Sequence, residues 1–132
     1  MPNIPKWSHS LSVRNPRLDE QHIILIELSK ELVELVARGP STDEPIHRLL
    51  KEFSDYARRH DELEEGLLAA NDCPTLAEHR RVHRAAEAEL DRWMASASTE
   101  SLDRKALVAY FQGWMEHHLT ETDMPVSGYM HD

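Results

Sequence analysis

Two histidines lie four residues apart in the stretch EHRRVH, residues 78–83. On a helix, His79 and His83 would project from one face toward a common point, because positions i and i+4 are neighbours on the helix surface. Imidazole nitrogen is a frequent ligand of transition metals. The pair could therefore clamp a metal ion, or it could be two solvated side chains, and the rest of the sequence must decide.

Three further histidines, His22, His60 and His118, occupy positions where the apolar periodicity predicts a core residue. Glu64 follows His60 by four residues, so the same helix face also carries a carboxylate. Imidazoles and carboxylates buried without partners are costly, since each needs a hydrogen bond, an opposite charge or a metal. The combined pattern therefore predicts a metal centre inside the core.

The donor types restrict the metal without identifying it. Nitrogen and carboxylate ligands without thiolate suit iron, zinc, copper or manganese. Five histidines with carboxylates exceed the needs of one tetrahedral ion, so two ions sharing carboxylates are expected. The ferritin-like di-iron pattern requires Glu-x-x-His on each of two helices. Only EPIH, residues 44–47, matches it, and its histidine is predicted to face solvent, which disfavours that class.

The remaining histidines are predicted to lie on the surface. His47 precedes His60 by a spacing that rotates it by ~220° around the helix, and His117 is rotated by ~100° from His118. His9 and His131 lie in the terminal segments.

These side chains must be positioned by helices, because the apolar residues recur at helical spacing and no segment alternates like a strand. The stretches ARGPST, NDCP and ASASTES interrupt the pattern. Ser41 with Glu44, and Thr75 with Glu78, resemble capping boxes at two helix starts. Short connections favour an all-α, antiparallel up-down-up-down four-helix bundle after an irregular N-terminal arm. The predicted helices cover about residues 18–38, 42–70, 76–95 and 102–123.

Length and composition agree with one ordered domain over residues 1–132. The net charge of −9 argues against a nucleic-acid partner. A lone cysteine, Cys73, excludes an intramolecular disulfide and a cysteine-rich metal site. Neither a secretory signal nor a run of ~20 apolar residues is visible, so we expect a cytoplasmic protein, or a module of a longer one, without membrane attachment.

Four sequence segments together resemble the hemerythrin family, specifically the bacterial hemerythrin domain. They are LDEQH with His22, HDELEE with His60 and Glu64, HRRVH with His79 and His83, and WMEHHLTETD with His118 and Asp123. They occur in the family's order, one per predicted helix, and Trp7 near the start is also similar. The resemblance spans residues 7–123.

The resemblance implies two iron ions. His79, His83 and His118 would bind one iron, and His22 with His60 the other. Glu64 and Asp123 would bridge the pair together with an oxo or hydroxo group. Asp123 is assigned from the family motif alone, because five residues place it ~140° away from His118 on a regular α-helix. Dioxygen would bind at the open position of the second iron and take two electrons from the diferrous pair.

One position departs from the family pattern. After the histidine of the second helix the family usually has phenylalanine, which helps to enclose the oxygen pocket; here it is Asp61. Asp61 is expected at the edge of the pocket, either in a solvated acidic turn or as part of a wetter pocket.

We therefore expect a non-enzymatic protein that binds O2 reversibly, for storage, delivery or sensing. One alternative is a di-iron oxidoreductase acting on peroxide or nitric oxide. Another is an oxygen- or redox-sensing module that acts on a partner protein or a fused signalling domain.

Overall fold

The computed structural model describes residues 4–132 and contains four α-helices packed as an antiparallel bundle. The helices are α1, Pro16–Ala37; α2, Glu44–Ala70; α3, Leu76–Ser98; and α4, Arg104–His117. α2 packs against α1 and α3, and α1 also packs against α4. Since no strand occurs between residues 4 and 132, the predicted all-α bundle is confirmed. The single domain over 1–132 stays a prediction, and its residues 1–3 lie outside the described part.

The helix starts differ from the predicted capping boxes. Pro16 opens α1, as its fixed φ allows, and the Asn15 side chain accepts hydrogen bonds from the first free amides. At α2 the residue before the helix is Asp43, not Ser41, and its carboxylate accepts from Arg104 instead of capping the helix. The predicted box at Ser41 is therefore wrong.

The second predicted capping box is wrong as well. Thr75 does precede α3, but its side chain makes no capping bond, and Glu78 pairs with Arg81. α3 continues to Ser98, beyond the predicted end near residue 95. Alanine and serine in ASAS carry no helix-breaking group, so α3 extends through them until Thr99.

The chain after α4 leaves the α-helical conformation. His118–Asp123 forms a π-helical turn, and Met124–Tyr129 forms a 3₁₀ helix that contains Pro125. The predicted fourth helix, residues 102–123, is therefore α-helical only over 104–117. A second 3₁₀ helix, His9–Leu11, lies in the N-terminal arm.

The bundle interior has two apolar clusters with a polar layer between them. The larger cluster fills the end that contains Leu25, Phe53, Leu90 and Phe111. The smaller cluster comprises Val13, Leu18, Leu68, Cys73 and Met130. Along α1, for example, His22 lies between Leu18 of the smaller cluster and Leu25 of the larger one. The polar layer is thus enclosed at both ends by apolar side chains.

The start of α1 and the C-terminal segment meet beside the smaller cluster. The Asn15 amide donates to the Met130 carbonyl at 2.7 Å, which links the start of α1 to the C-terminal segment. The Asn71 amide donates to the carbonyls of Tyr129 and His131. No helix within residues 4–132 combines the length and apolar character needed to span a membrane.

Candidate metal centre

The three helices α1, α2 and α3 and the turn after α4 all contribute side chains to the polar layer. α1, α2 and α3 supply their residues from regular helix, and the π-helical turn supplies the last two. Each of the seven side chains is at least 95% buried. They are the seven ligands predicted from the sequence: His22, His60, Glu64, His79, His83, His118 and Asp123.

Glu64 lies between imidazoles that come from two sides. Its Oε1 is 2.5 Å from His79 Nε2 and 3.0 Å from His83 Nε2. Its Oε2 is 3.2 Å from His60 Nε2. The two oxygens of this one carboxylate therefore face different histidines, as a bridging carboxylate requires.

Asp123 repeats this arrangement from the opposite side of the layer. Its Oδ2 is 2.9 Å from His22 Nε2 and 3.0 Å from His118 Nε2. Its Oδ1 is 3.4 Å from His79 Nε2. Two carboxylates thus each span the gap between the same two groups of imidazoles.

The π-helical turn explains how Asp123 reaches the site. A π-helix joins each amide to the carbonyl five residues earlier. Residues five apart, such as His118 and Asp123, therefore lie about one turn apart and on similar faces. In a regular α-helix the same spacing would rotate Asp123 by ~140° from His118.

The donor atoms form two groups that share both carboxylates. One group contains His22, His60 and His118, and the other contains His79 and His83. This differs from the division that the resemblance implies, in which His118 belongs with His79 and His83. The His118 ring is nearly equidistant from both sides, with centroids 6.0 Å from His60 and 5.9 Å from His83. The division of the histidines between two ions therefore stays a prediction.

Unpartnered polar atoms concentrate at the site. Seven buried side-chain nitrogen or oxygen atoms in residues 4–132 have no hydrogen bond of good geometry, and six of them belong to the predicted ligands. Those of His60, His83 and His118 are the Nε2 atoms that point into the layer. Buried polar atoms are normally satisfied, so this donor set fits a metal pair that would occupy their lone pairs.

Contacts behind the ligands orient two of the imidazoles. His60 Nδ1 donates to Gln21 Oε1 at 2.7 Å, and His83 Nδ1 donates to Glu65 Oε2 at 2.7 Å. Arg84 also pairs with Glu65. Such outer contacts turn the Nε2 atom toward a metal and increase its basicity. Sequence reasoning missed Gln21 and Glu65, because each neighbours a ligand in the chain and periodicity places it on a different helix face.

The electrostatics show how the cluster balances its charge without metal. Burial and the nearby Asp123 raise the pKa of Glu64, but close contacts with the imidazoles of His60, His79 and His83 bring it below its usual range. Burial favours neutral His79, yet its bonds to Asp123 and Glu64 raise its pKa to about 10. The pKa of His118 is also raised, against burial, by the Asp123 carboxylate. Protons on histidines thus compensate the buried carboxylates, and metal binding would displace them.

Asp61 lies inside the protein, which rules against the solvated-turn interpretation. It is 6% exposed, and its Oδ1 is 3.5 Å from His83 Nε2. Burial and the adjacent Glu87 raise the pKa of its carboxyl to about 10, so the group is neutral at pH 7. Glu87 itself is ion-paired with Arg58 and Arg84. Asp61 therefore lies in the wall of the pocket and close to the predicted ligand His83.

A cavity of about 250 Å³ adjoins the layer between α3 and α4. Its walls include Asp61 and the ligands His83 and His118, together with Tyr110 and Trp114. The cavity thus reaches Asp61 and two predicted ligands, and it is large enough for a small diatomic or peroxide molecule.

The other histidines lie away from the centre. His9, His117 and His131 are exposed, as predicted, and His117 pairs with Glu121 on the surface. His47 is half-buried in a groove between α2 and α3, rather than fully solvated.

Comparisons with known proteins agree with this architecture. The family model described as "Hemerythrin HHE cation binding domain" matches residues 15–127. Two curated proteins named "Bacteriohemerythrin", from Campylobacter jejuni subsp. jejuni serotypes O:6 and O:2, are each 28% identical over 120 residues. The aligned region covers 90% of this chain and 90% of each relative. The chain, with its buried histidine and carboxylate layer inside a four-helix bundle, belongs to the hemerythrin family.

Proposed function

We propose that this chain binds two iron ions and uses them to bind O2 reversibly. The observation that carries the proposal is the pair of carboxylates, Glu64 and Asp123, each placed between two groups of buried imidazoles. The family assignment supports iron as the metal. The curated relatives are named as bacteriohemerythrins, and we extend that description to this chain as part of the proposal.

The donor count supports one open position. Five imidazole nitrogens and four carboxylate oxygens provide nine donor atoms. Two six-coordinate ions offer twelve positions, and a shared solvent oxygen would fill one on each ion. One position is left for an external ligand. The iron pair would supply the two electrons that reversible O2 binding requires.

The protein's own residues contribute orientation and exclusion of water. Gln21 and Glu65 hold the imidazoles of His60 and His83 in the required tautomer. The two apolar clusters keep bulk water from both ends of the layer. This enclosure favours binding without further chemistry, and hence a non-enzymatic role.

A second candidate function, reduction of peroxide, is favoured by Asp61. Its buried carboxyl faces the cavity and lies beside His83, and without metal its pKa is raised by burial and by Glu87. A protonated acid within reach of a bound peroxide could deliver the proton that its reduction requires. An apolar residue at this position would offer no such proton.

Metal analysis followed by stopped-flow spectroscopy tests these proposals. Protein expressed with iron should contain two irons per chain, and its oxidised form should absorb in the near ultraviolet as oxo-bridged ferric pairs do. The diferrous protein should then form an O2 adduct that is lost when O2 is removed. One zinc per chain, or folded protein without metal, would refute the iron proposal. Rapid turnover of peroxide without a reversible O2 adduct would favour the second candidate.

A further inference from the structure

Oxidisable aromatic side chains connect the candidate metal centre with the surface. The Trp114 ring stacks on the His118 imidazole, with centroids 5.0 Å apart and planes 11° apart. Tyr110 lies four residues earlier on α4, ~6 Å along the helix axis, and borders the same cavity as Trp114. The Tyr110 ring is in turn 5.8 Å from that of Trp93 on α3.

The outer end of this series is accessible. Trp93 is half-buried and borders a surface depression with Glu89, Arg92 and Ser96. Burial and the neighbouring Glu89 carboxylate raise the pKa of Tyr110, so its phenol is protonated at neutral pH. A phenol loses an electron readily only when it also loses its proton, and Glu89 is placed to accept that proton.

Packing requirements alone do not explain these residue types. Phe53 and Phe111 contact the same series, with ring centroids 5.4 Å from Trp114 and 5.2 Å from Tyr110 respectively. Both phenylalanines are fully buried and resist oxidation. Tryptophan and tyrosine, which lose single electrons far more easily, occupy the positions that lead from His118 to the surface.

We propose that Trp114, Tyr110 and Trp93 form an electron path that protects the iron centre when it meets hydrogen peroxide without an external reductant. Reduction of one hydrogen peroxide to two waters consumes two electrons and two protons, and these protons enter from solvent through the cavity beside His118. Tyr110 and Trp93 each supply one electron, and Trp114 passes both inward. The phenol proton of Tyr110 goes to Glu89 and the indole proton of Trp93 goes to solvent, which leaves one neutral radical on each side chain.

This path rests on iron occupancy and not on reversible O2 binding. Without it, the ligand imidazoles themselves would be exposed to oxidation at the centre. The path moves the oxidative damage from the centre to side chains where a reductant in solution can repair it.

The test treats the iron-loaded protein with hydrogen peroxide and follows it by freeze-quench electron paramagnetic resonance and peptide mass spectrometry. The expected result is a tyrosyl radical signal, with oxidation concentrated at Tyr110 and Trp93. Tyr110→Phe should abolish the tyrosyl signal. Trp114→Phe should lower oxidation at Trp93 several-fold and increase oxidation of His118. The exposed Tyr129 provides a matched control, and Tyr129→Phe should leave the signal intact.

Zinc-loaded protein controls for direct attack by peroxide and should show little oxidation of Trp93. Equal Trp93 oxidation with zinc and with iron would overturn the proposal. A tyrosyl signal that survives Tyr110→Phe, or Trp93 oxidation unchanged by Trp114→Phe at equal iron content, would also overturn it. A chain that takes up no iron would refute both proposals, whereas a radical without a reversible O2 adduct would refute only the first.

Discussion

Asp61 combines burial, a raised pKa in the metal-free protein and a position beside a predicted ligand. Burial and Glu87 raise the pKa of its carboxyl, and the two arginines that pair with Glu87 lie behind it. A polar group at this point brings a proton and hydrogen-bonding capacity to a cavity that would otherwise end on apolar side chains. Its chemical effect should therefore appear in the lifetime of a bound oxygen ligand.

Replacement of Asp61 is expected to lengthen that lifetime. Asp61→Phe removes the proton source and provides an apolar wall, so the O2 adduct of the diferrous protein should decay several-fold more slowly than in the parent chain. Asp61→Asn removes the acidic proton but keeps the site polar, and should give an intermediate rate. The measurement is the decay of the oxy absorption at fixed pH, with the exposed Glu62→Gln as control. Equal decay in the parent and both Asp61 variants would show that Asp61 does not influence the ligand.

The metal-free protein is expected to lose stability as pH rises from about 6.5 to about 10. The pKa of His79 is raised to about 10 in the folded state, so its stabilising contribution is complete below pH 6.5 and lost as the ring deprotonates. The pKa of Asp61 is also raised to about 10. The folded state loses stability through Asp61 at every pH above its ordinary pKa of 3.8. The carboxyl ionises there in the unfolded chain, whereas in the folded protein it stays protonated. Melting temperatures of metal-free protein between pH 5 and 9 test this.

Asp61→Asn separates the two contributions. The variant removes the cost of keeping a carboxyl protonated, so its melting temperature should exceed that of the parent by a margin that grows from pH 5 to pH 9. Asp55→Asn, on the exposed face of α2, is the control and should show no such growth. A margin that is constant with pH would contradict the assignment of a raised pKa to Asp61.

At the scale of elements, the π-helical turn His118–Asp123 is what joins the last helix to the centre. α1, α2 and α3 present their ligands from regular helix, with spacing of four residues in α2 and α3. Only the last pair uses a spacing of five, and the widened turn compensates for it. A π-turn inside a helix is a common feature of functional sites.

Insertion of an alanine after Thr120 is expected to separate Asp123 from the centre. The widened turn accommodates a spacing of five residues, and a sixth residue would rotate Asp123 by a further ~100° from the face of His118. Met124 and Val126, which pack against the smaller cluster, would turn with it. We expect iron content to fall to one per chain or less, as measured by elemental analysis. Thr120→Ala keeps the chain length and should retain two irons, and an equal iron content in both variants would argue against a role for the spacing in this turn.

At the scale of the whole molecule, the bundle is divided by its polar layer. The larger apolar cluster can stabilise one half of the helices, while the smaller cluster of five residues depends on the layer that links the two. Without metal, the layer consists of imidazoles and carboxylates whose charges are costly to bury. Metal binding and folding are therefore linked.

The iron-loaded protein is expected to melt at a clearly higher temperature than the metal-free protein. Binding to the folded state alone stabilises it by about 4 kcal/mol when free metal exceeds the dissociation constant a thousandfold. The difference should shrink below pH 6, where protonated histidines compete with iron. Calorimetry of both forms measures it. His47→Ala, outside the centre, should change neither form appreciably, and equal melting temperatures with and without iron would contradict the linkage.

The sequence is enough to predict the helices, their antiparallel order and the histidines that face inward, because these follow from local periodicity and from breakers such as Pro40 and Pro74. It did not determine the position of Asp123, which the family motif assigned and which depends on the π-helical turn. It also missed Gln21 and Glu65, and left the environment of Asp61 open, since burial and outer contacts arise only when α1, α2 and α3 pack together. Periodicity reports which face a residue occupies on its own helix. Protonation, bridging and enclosure depend on atoms supplied by other helices, so they follow only from the packing of the whole bundle.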